Sequence, residues 1–540
     1  MRKNLLALSI AAMVGGLSGV AAHAAPSNLP LFDTGVATNT APENANTPAV
    51  VGALPQGSVA AQTLRFNGDG LGHVLLVPYF TTNGGNKSLL NIVNTDQVNG
   101  KAVKLRYRNA LNSDDIFDIT IYLSPGDVWA ADVAEENGFS RLVTDDTSCT
   151  LPTAAEIKAK DNGRFKTNRV LGGAATGAIQ TREGYIEILN SADIRPFLND
   201  VNGNPDVTKP NPLYAATKHV DGKVSCNPAI LNAQATPLSN DANSPNSPRN
   251  RGYSWPTGGL FANWVIVNAA DKASFSGEAA AVVAATGNQV AVGNLVWFPQ
   301  TTDSVSAAVA ATLSADPLLA SGRVEAAMYD FPDLSTPYTT LAADPVAQAL
   351  ALSNSMAVKS VSNEYLTGAG GAFATDWVFS MPTRRYQIAV DYANSAAVQI
   401  LPVTAARHFV VRNPATGANL DGNVSYDRAT QRLCVATSTM RGFDREENSK
   451  TTFVISPDSA LSFCGEATVV SFNKKDYSIL GAATTGPVAI RSNIETGFAD
   501  GWFTMATPGY NNNGLPVLGF AAAKMSGVNL GGTWAHRVTR

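Results

Sequence analysis

Oxygen-bearing side chains fall at alternate positions in Asp200-Val201-Asn202-Gly203-Asn204-Pro205-Asp206. A hard cation wants several oxygens converging from one short loop, so Asp200, Asn202, Asn204 and Asp206 are the metal candidates and calcium is the ion they suit. Pro205 stands where a calcium loop needs glycine, and no glutamate closes the tract, so a plain polar loop is the competing reading. The aromatic candidates are seven tryptophans, Trp129, Trp255, Trp264, Trp297, Trp377, Trp502 and Trp534. Sugar faces stack on exposed rings, whereas a ring in an alternating strand belongs more often to a core. Trp255, in Tyr253-Ser254-Trp255-Pro256 beside a polar loop, is the ring to test for ligand stacking.

Acid–base chemistry has weaker handles. Asp376 beside Trp377, and Glu135, Glu136, Asp444, Glu446 and Glu447, offer carboxylates, but no spacing holds two of them at the ~5–9 Å of a glycosidase pair. The sequence favours solvated turns for these groups. Arg384-Arg385 reads as a solvated or salt-bridged pair rather than an anion site. None of the five histidines lies three or four residues from another, which removes HExxH metal sites. No GxSxG elbow, GxxxxGK[ST] loop or strand-linked GxGxxG occurs. The expectation is a non-enzyme with no cofactor other than the calcium candidate.

The elements that must position these groups begin with an address. Met1-Arg2-Lys3-Asn4, an apolar run from Leu5 to Ala22, and Ala22-His23-Ala24 are the parts of a secretory signal peptide, residues 1–24. No later stretch approaches the ~18 apolar residues of a membrane-spanning helix. Export puts the four cysteines in an oxidising setting. Four allow three pairings; Cys149–Cys226 and Cys434–Cys464 are favoured, each bracketing one irregular or hairpin-like segment. Charged residues are 15% against about 25% for an average soluble domain, and net charge is −4. That balance gives no electrostatic reason to expect nucleic acid.

Residues 25–63, rich in Ala, Pro, Asn, Thr and Gly, read as a mobile leader or strand-lending arm. From Gly72 to Val133, short apolar blocks alternate with Asn, Gly, Asp and Pro corners, which predicts a β-meander with a tight hairpin at Asn83-Gly84-Gly85-Asn86. About 135–255 is expected to be a loop-rich insertion. Strands resume at 263–268, 278–285 and 294–298. NIVNTD, EILNSAD and VIVNAAD each predict a strand closed by asparagine before a turn. Asp344–Val361 has helical spacing after Asp-Pro, and further strands are expected near 376–379, 386–393, 408–412, 432–437, 452–455, 468–472 and 515–523. The predicted fold is mainly β: an antiparallel Ig-like β-sandwich over 64–400 with that insertion, and a second, smaller β domain over 401–540.

GHVLLVPYFTTNGGN, NEYLTGAGGAFATDWVFSMPTRRY and GLPVLGFAAAKMSGVNLGGTWAHRVTR resemble segments of a poorly characterised family of exported Gram-negative bacterial cell-surface proteins. The resemblance covers most of the mature chain in scattered blocks. It implies an all-β fold and a surface or extracellular location, and brings no catalytic residues. The functional expectation is an exported, non-enzymatic structural or interaction protein at the cell surface or outside it, with the periplasm as the alternative place. Its partners would be other protein chains or extracellular matrix and polysaccharide, reached through sheet edges and the N-terminal arm. The alternative is a carbohydrate-binding or carbohydrate-active secreted β protein.

Overall fold

The computed structural model describes residues 51–540 except 160, 168–169, 171–176, 201, 237, 240, 294, 296–344, 369–371, 392–395, 400–402, 413–421, 439, 451–461, 473–477, 483–488, 492–499 and 526–530. The signal peptide, residues 25–50, Trp297 and the strand expected at 452–455 lie outside the described residues. Among the described residues the protein is mainly β, about 51% strand with four helices, arranged in several antiparallel sheets.

The first half supplies β1 (Thr63–Phe66), β2 (Val74–Thr81), β3 (Asn86–Asn94), β4 (Gly100–Asn109), β5 (Asp115–Leu123), β6 (Val128–Glu136), β7 (Phe139–Val143), β8 (Cys149–Leu151) and β9 (Glu183–Ile194), then β10 (Leu260–Asn268), β11 (Ala273–Glu278) and β12 (Ala280–Thr286). One sheet runs β1-β12-β2-β9-β4-β5-β8 and the other β11-β10-β3-β6-β7. The apolar blocks of the sequence are therefore strands, but not a meander. β2 is flanked by β12 and β9, so both its edges are taken and the chain must leave for the facing sheet. Asn83–Asn86 is that crossing rather than a hairpin; Gly84 at φ 63° and Gly85 at φ 81° take positions favouring glycine.

Alternation decides which face is buried. β3 reads buried, exposed, buried along its length, with one face on the core. β4, β5 and β9 are buried at every residue because both faces of the central sheet are covered. The expected insertion over 135–255 needs correcting here. β9 lies in the middle of the first sheet, between β2 and β4, so this stretch completes the sheet instead of interrupting it. It reads weakly because its charged Glu187 and Asp193 are buried in pairs.

The second half supplies β13 (Ser360–Leu366), β14 (Phe373–Ser380), β15 (Met440–Asp444), β16 (Ala467–Phe472), β17 (Asp500–Ala506), β18 (Leu518–Met525), β19 (Gly531–Ala535) and β20 (Arg537–Thr539). Ser449–Lys450, β15, β17, β13 and β20 form one sheet; Ala489–Arg491, β16, β14, β18 and β19 form the other. The boundary expected at 400 is displaced: β13 and β14 register along their length with β17, β16 and β18, so about 357–539 is the second unit. The helix is Pro345–Met356, packing Leu352 and Met356 beside β2 and β12 residues, and the chain turns to strand at Ala357. At 408–412 there is only an isolated bridge, Val411 with Val424.

The two halves share a core. One apolar cluster joins Leu75, Ile92, Leu105, Trp129 and Ile188 of the first to Val378, Val469, Leu480 and Phe520 of the second. Cys149 bonds Cys226 and Cys434 bonds Cys464, the pairs favoured by their bracketing. No helix among the described residues is long and apolar enough to cross a membrane.

Candidate functional site

Most residues singled out in the sequence, where the structure describes them, have local partners in the fold. Asp200 Oδ1 accepts the backbone N–H groups of Asn202 and Asn204 at 2.8 and 2.9 Å, closing the turn that Gly203 enters at φ 79°. Asp206 accepts from Thr208 and pairs with Lys209 at 2.9 Å, and those contacts, the Thr208 hydroxyl first, hold its carboxyl down at about 2. In Asp200, Asn202, Asn204 and Asp206, the calcium candidates, both carboxylates turn back on their own chain's donors, as Asx turns do. Among the described residues no group of three or more His, Cys, Asp or Glu side chains converges on a point.

Trp255 is likewise not a platform. It is 4% exposed, packs with Val51 and Val292, and donates its indole N–H to the Gly52 carbonyl at 2.9 Å. What covers it is the end of the segment expected to be a mobile leader. Val51 and Ala61 are buried, and Ala61 and Gln62 bond Val292 and Ala285, so residues 51–62 are docked.

The carboxylates lie apart. Asp376 is fully buried in β14, not in a turn; it accepts from Ser471, Ser478 and the Leu480 N–H, and burial pushes its carboxyl up to about 6. Its neighbour Trp377 donates to the Glu364 carbonyl. Glu135 and Glu136 line a cavity of about 270 Å³ over β3, β6 and β7. Glu135 caps the turn at Gly138, and Glu136 pairs with Arg141 at 3.2 Å. Asp444 accepts from the backbone of Glu446 and Asn448, while Glu446 and Glu447 are exposed on that turn.

The side chains the fold does bring together are a belt of buried ion pairs. β4 turns Lys104, Arg106 and Arg108 to the face opposite Val103, Leu105 and Tyr107. Register sets Arg106 against Asp118 and Arg108 against Asp115 on β5. Lys104 meets Asp118 at 2.6 Å, and Arg108 reaches Asp115 at 3.6 Å and Glu187 at 3.1 Å. Glu187 also receives Arg385 of the second half at 3.7 Å, so the belt crosses between the halves. Arg384 pairs with Glu466 at 2.6 Å and donates to the Leu433 and Gly465 carbonyls. Both arginines are about 1% exposed, which resolves the pair as salt-bridged and corrects the solvated reading. The belt had a sequence signal that alternation alone hides: Lys-x-Arg-x-Arg in one strand block, and Asp115 with Asp118 in the next.

Exposure instead falls on Trp502 and Trp534, each 40% accessible. Sequence could not single out Trp502, because Trp502 and Phe503 present an aromatic ring to each face of β17. No protein-family model matches the chain, and no curated protein or solved structure is similar to it.

Proposed function

We propose that the chain is an exported, non-enzymatic structural or interaction protein of a bacterial cell surface, built on Ig-like sandwiches and acting by contact with other chains or with extracellular polysaccharide. One observation carries the reading: the buried carboxylates and arginines among the candidates are engaged in holding the fold. Asp376 fastens the 478–480 loop, Glu187 and Glu466 neutralise arginines, and Asp444 caps a turn. The two disulfides suit an oxidising compartment. The resemblance to exported Gram-negative surface proteins points the same way.

Protease shaving of intact cells, with fractionation, tests the location. The expected outcome is loss of the full-length chain from intact cells while a periplasmic marker survives. Protection until the outer membrane is opened would overturn the surface role.

A further inference from the structure

Trp502 stands in β17, with Phe443 of β15 as its cross-strand neighbour on one side and Glu364 of β13 on the other. The Trp502 and Phe443 rings are stacked, centroids 4.3 Å apart and planes 9° from parallel. That separation is close to the ~4.8 Å between adjacent strands, so the stack runs across the sheet. One indole face is therefore covered by Phe443 and the other is turned toward β13. The Arg441 guanidinium, 4.9 Å from the Phe443 centroid, braces the far end of the stack.

The strip on the β13 side of the indole is polar. Glu364 is exposed on β13, and the Ser362 hydroxyl donates to that of Thr504 at 2.8 Å. Beyond it lies β20, where Arg537, also exposed, is the register partner of Ser362. A flat apolar wall thus faces a floor with a carboxylate, two hydroxyls and a guanidinium, with Arg441, the register partner of Thr504, as a second guanidinium on the same face. The matching ligand has a flat C–H face and a rim of hydroxyls that donate and accept. A hexopyranose has those properties: its axial C–H groups lie on an indole face while its hydroxyls reach a carboxylate and a guanidinium.

We propose that Trp502, with Glu364, Ser362, Thr504 and Arg537, forms a binding subsite for neutral hexose units of an extracellular polysaccharide. The proposal rests on the reading that the protein works by contact outside the cell, and names the partner class. The test is a microarray of neutral and acidic hexose oligosaccharides probed with the full chain, followed by titration of the best ligand. Binding to at least one neutral oligosaccharide is expected, weakened roughly tenfold or more by Trp502→Ala and less by Glu364→Gln. Trp534→Ala, an equally exposed ring on β19 of the other sheet, leaves it unchanged. Thermal melting of each variant separates lost binding from lost folding, since Trp502 lies on the surface. Failure to bind any neutral oligosaccharide, a preference for acidic ones alone, or affinity unaltered in Trp502→Ala would overturn the subsite. A surface-exposed chain that binds no glycan rejects this inference alone; a protected, periplasmic chain rejects the reading beneath it.

Discussion

His73 and His536 are buried, and burial is the main reason their imidazoles are held neutral, down at about 3 and about 4 against an ordinary 6.5. His536 is bonded on both ring nitrogens, by Asn363 and to the Val378 carbonyl. As pH falls below about 6.5 the unfolded chain takes up protons that these folded imidazoles refuse, so stability is lost, by roughly 1 kcal/mol per pH unit for each. Asp376 acts in the opposite sense. Its folded carboxyl, raised to about 6, holds a proton the unfolded chain has released, so its contribution grows as pH falls from about 6 toward 4. With His408, which burial also holds down, three histidines stand against one aspartate and leave a net loss. Urea midpoints measured from pH 7 to 4.5 should fall, and fall more steeply in Asp376→Asn; a midpoint rising with acidification would contradict the assignment. None of this was legible in the sequence, where Asp376 read as a turn carboxylate and the histidines only as absent metal ligands. Burial of a charge depends on what packs over a strand's second face, and one strand's alternation does not report that.

Arg384 shows what a single buried charge does for an element. It ties the three-stranded sheet of Val424–Asp427, Arg432–Ala436 and Ser462–Cys464 to the start of β16, through Leu433, Gly465 and Glu466. The Cys434–Cys464 bond closes the same sheet where the two residues sit in register. Arg384→Ala removes a buried partner of Glu466, and a loss of a few kcal/mol, up to about 3–5, is expected in chemical denaturation; a change within experimental error would show that the pair is dispensable. Element identity was largely readable: the apolar blocks of β2 to β5 and the Pro345–Met356 helix lie close to where periodicity puts them. Element pairing was not. Asn94 and Asn268 end their strands as the asparagine pattern predicts, but Asn190 lies inside β9 at a register shift, its amide on Asp193 and Thr257. The same asparagine chemistry serves a turn or a bulge, and only the neighbouring strands decide which.

At the scale of the whole molecule the halves are stitched along one seam. Glu466 and Ala467 donate to the Ala110 carbonyl, Asn86 to that of Leu480, and Asn112 to that of Gln431. Thr533 exchanges hydrogen bonds with the backbone of Ser276, and Lys524 meets Asp271 at 2.7 Å. Beneath these lie the common apolar cluster and the Glu187–Arg385 crossing. The sequence suggested two units in series because the partners of each strand are distant along the chain. A cut at 400 would divide β13 and β14 from every strand they register with, and a cut near 293 would expose the shared core. The central claim is that buried charge and apolar surface bind the two halves into one scaffold. Scanning calorimetry of the full, oxidised chain tests it most directly: a single transition whose calorimetric and van't Hoff enthalpies agree is predicted, and two separable transitions, one for each half, would contradict it.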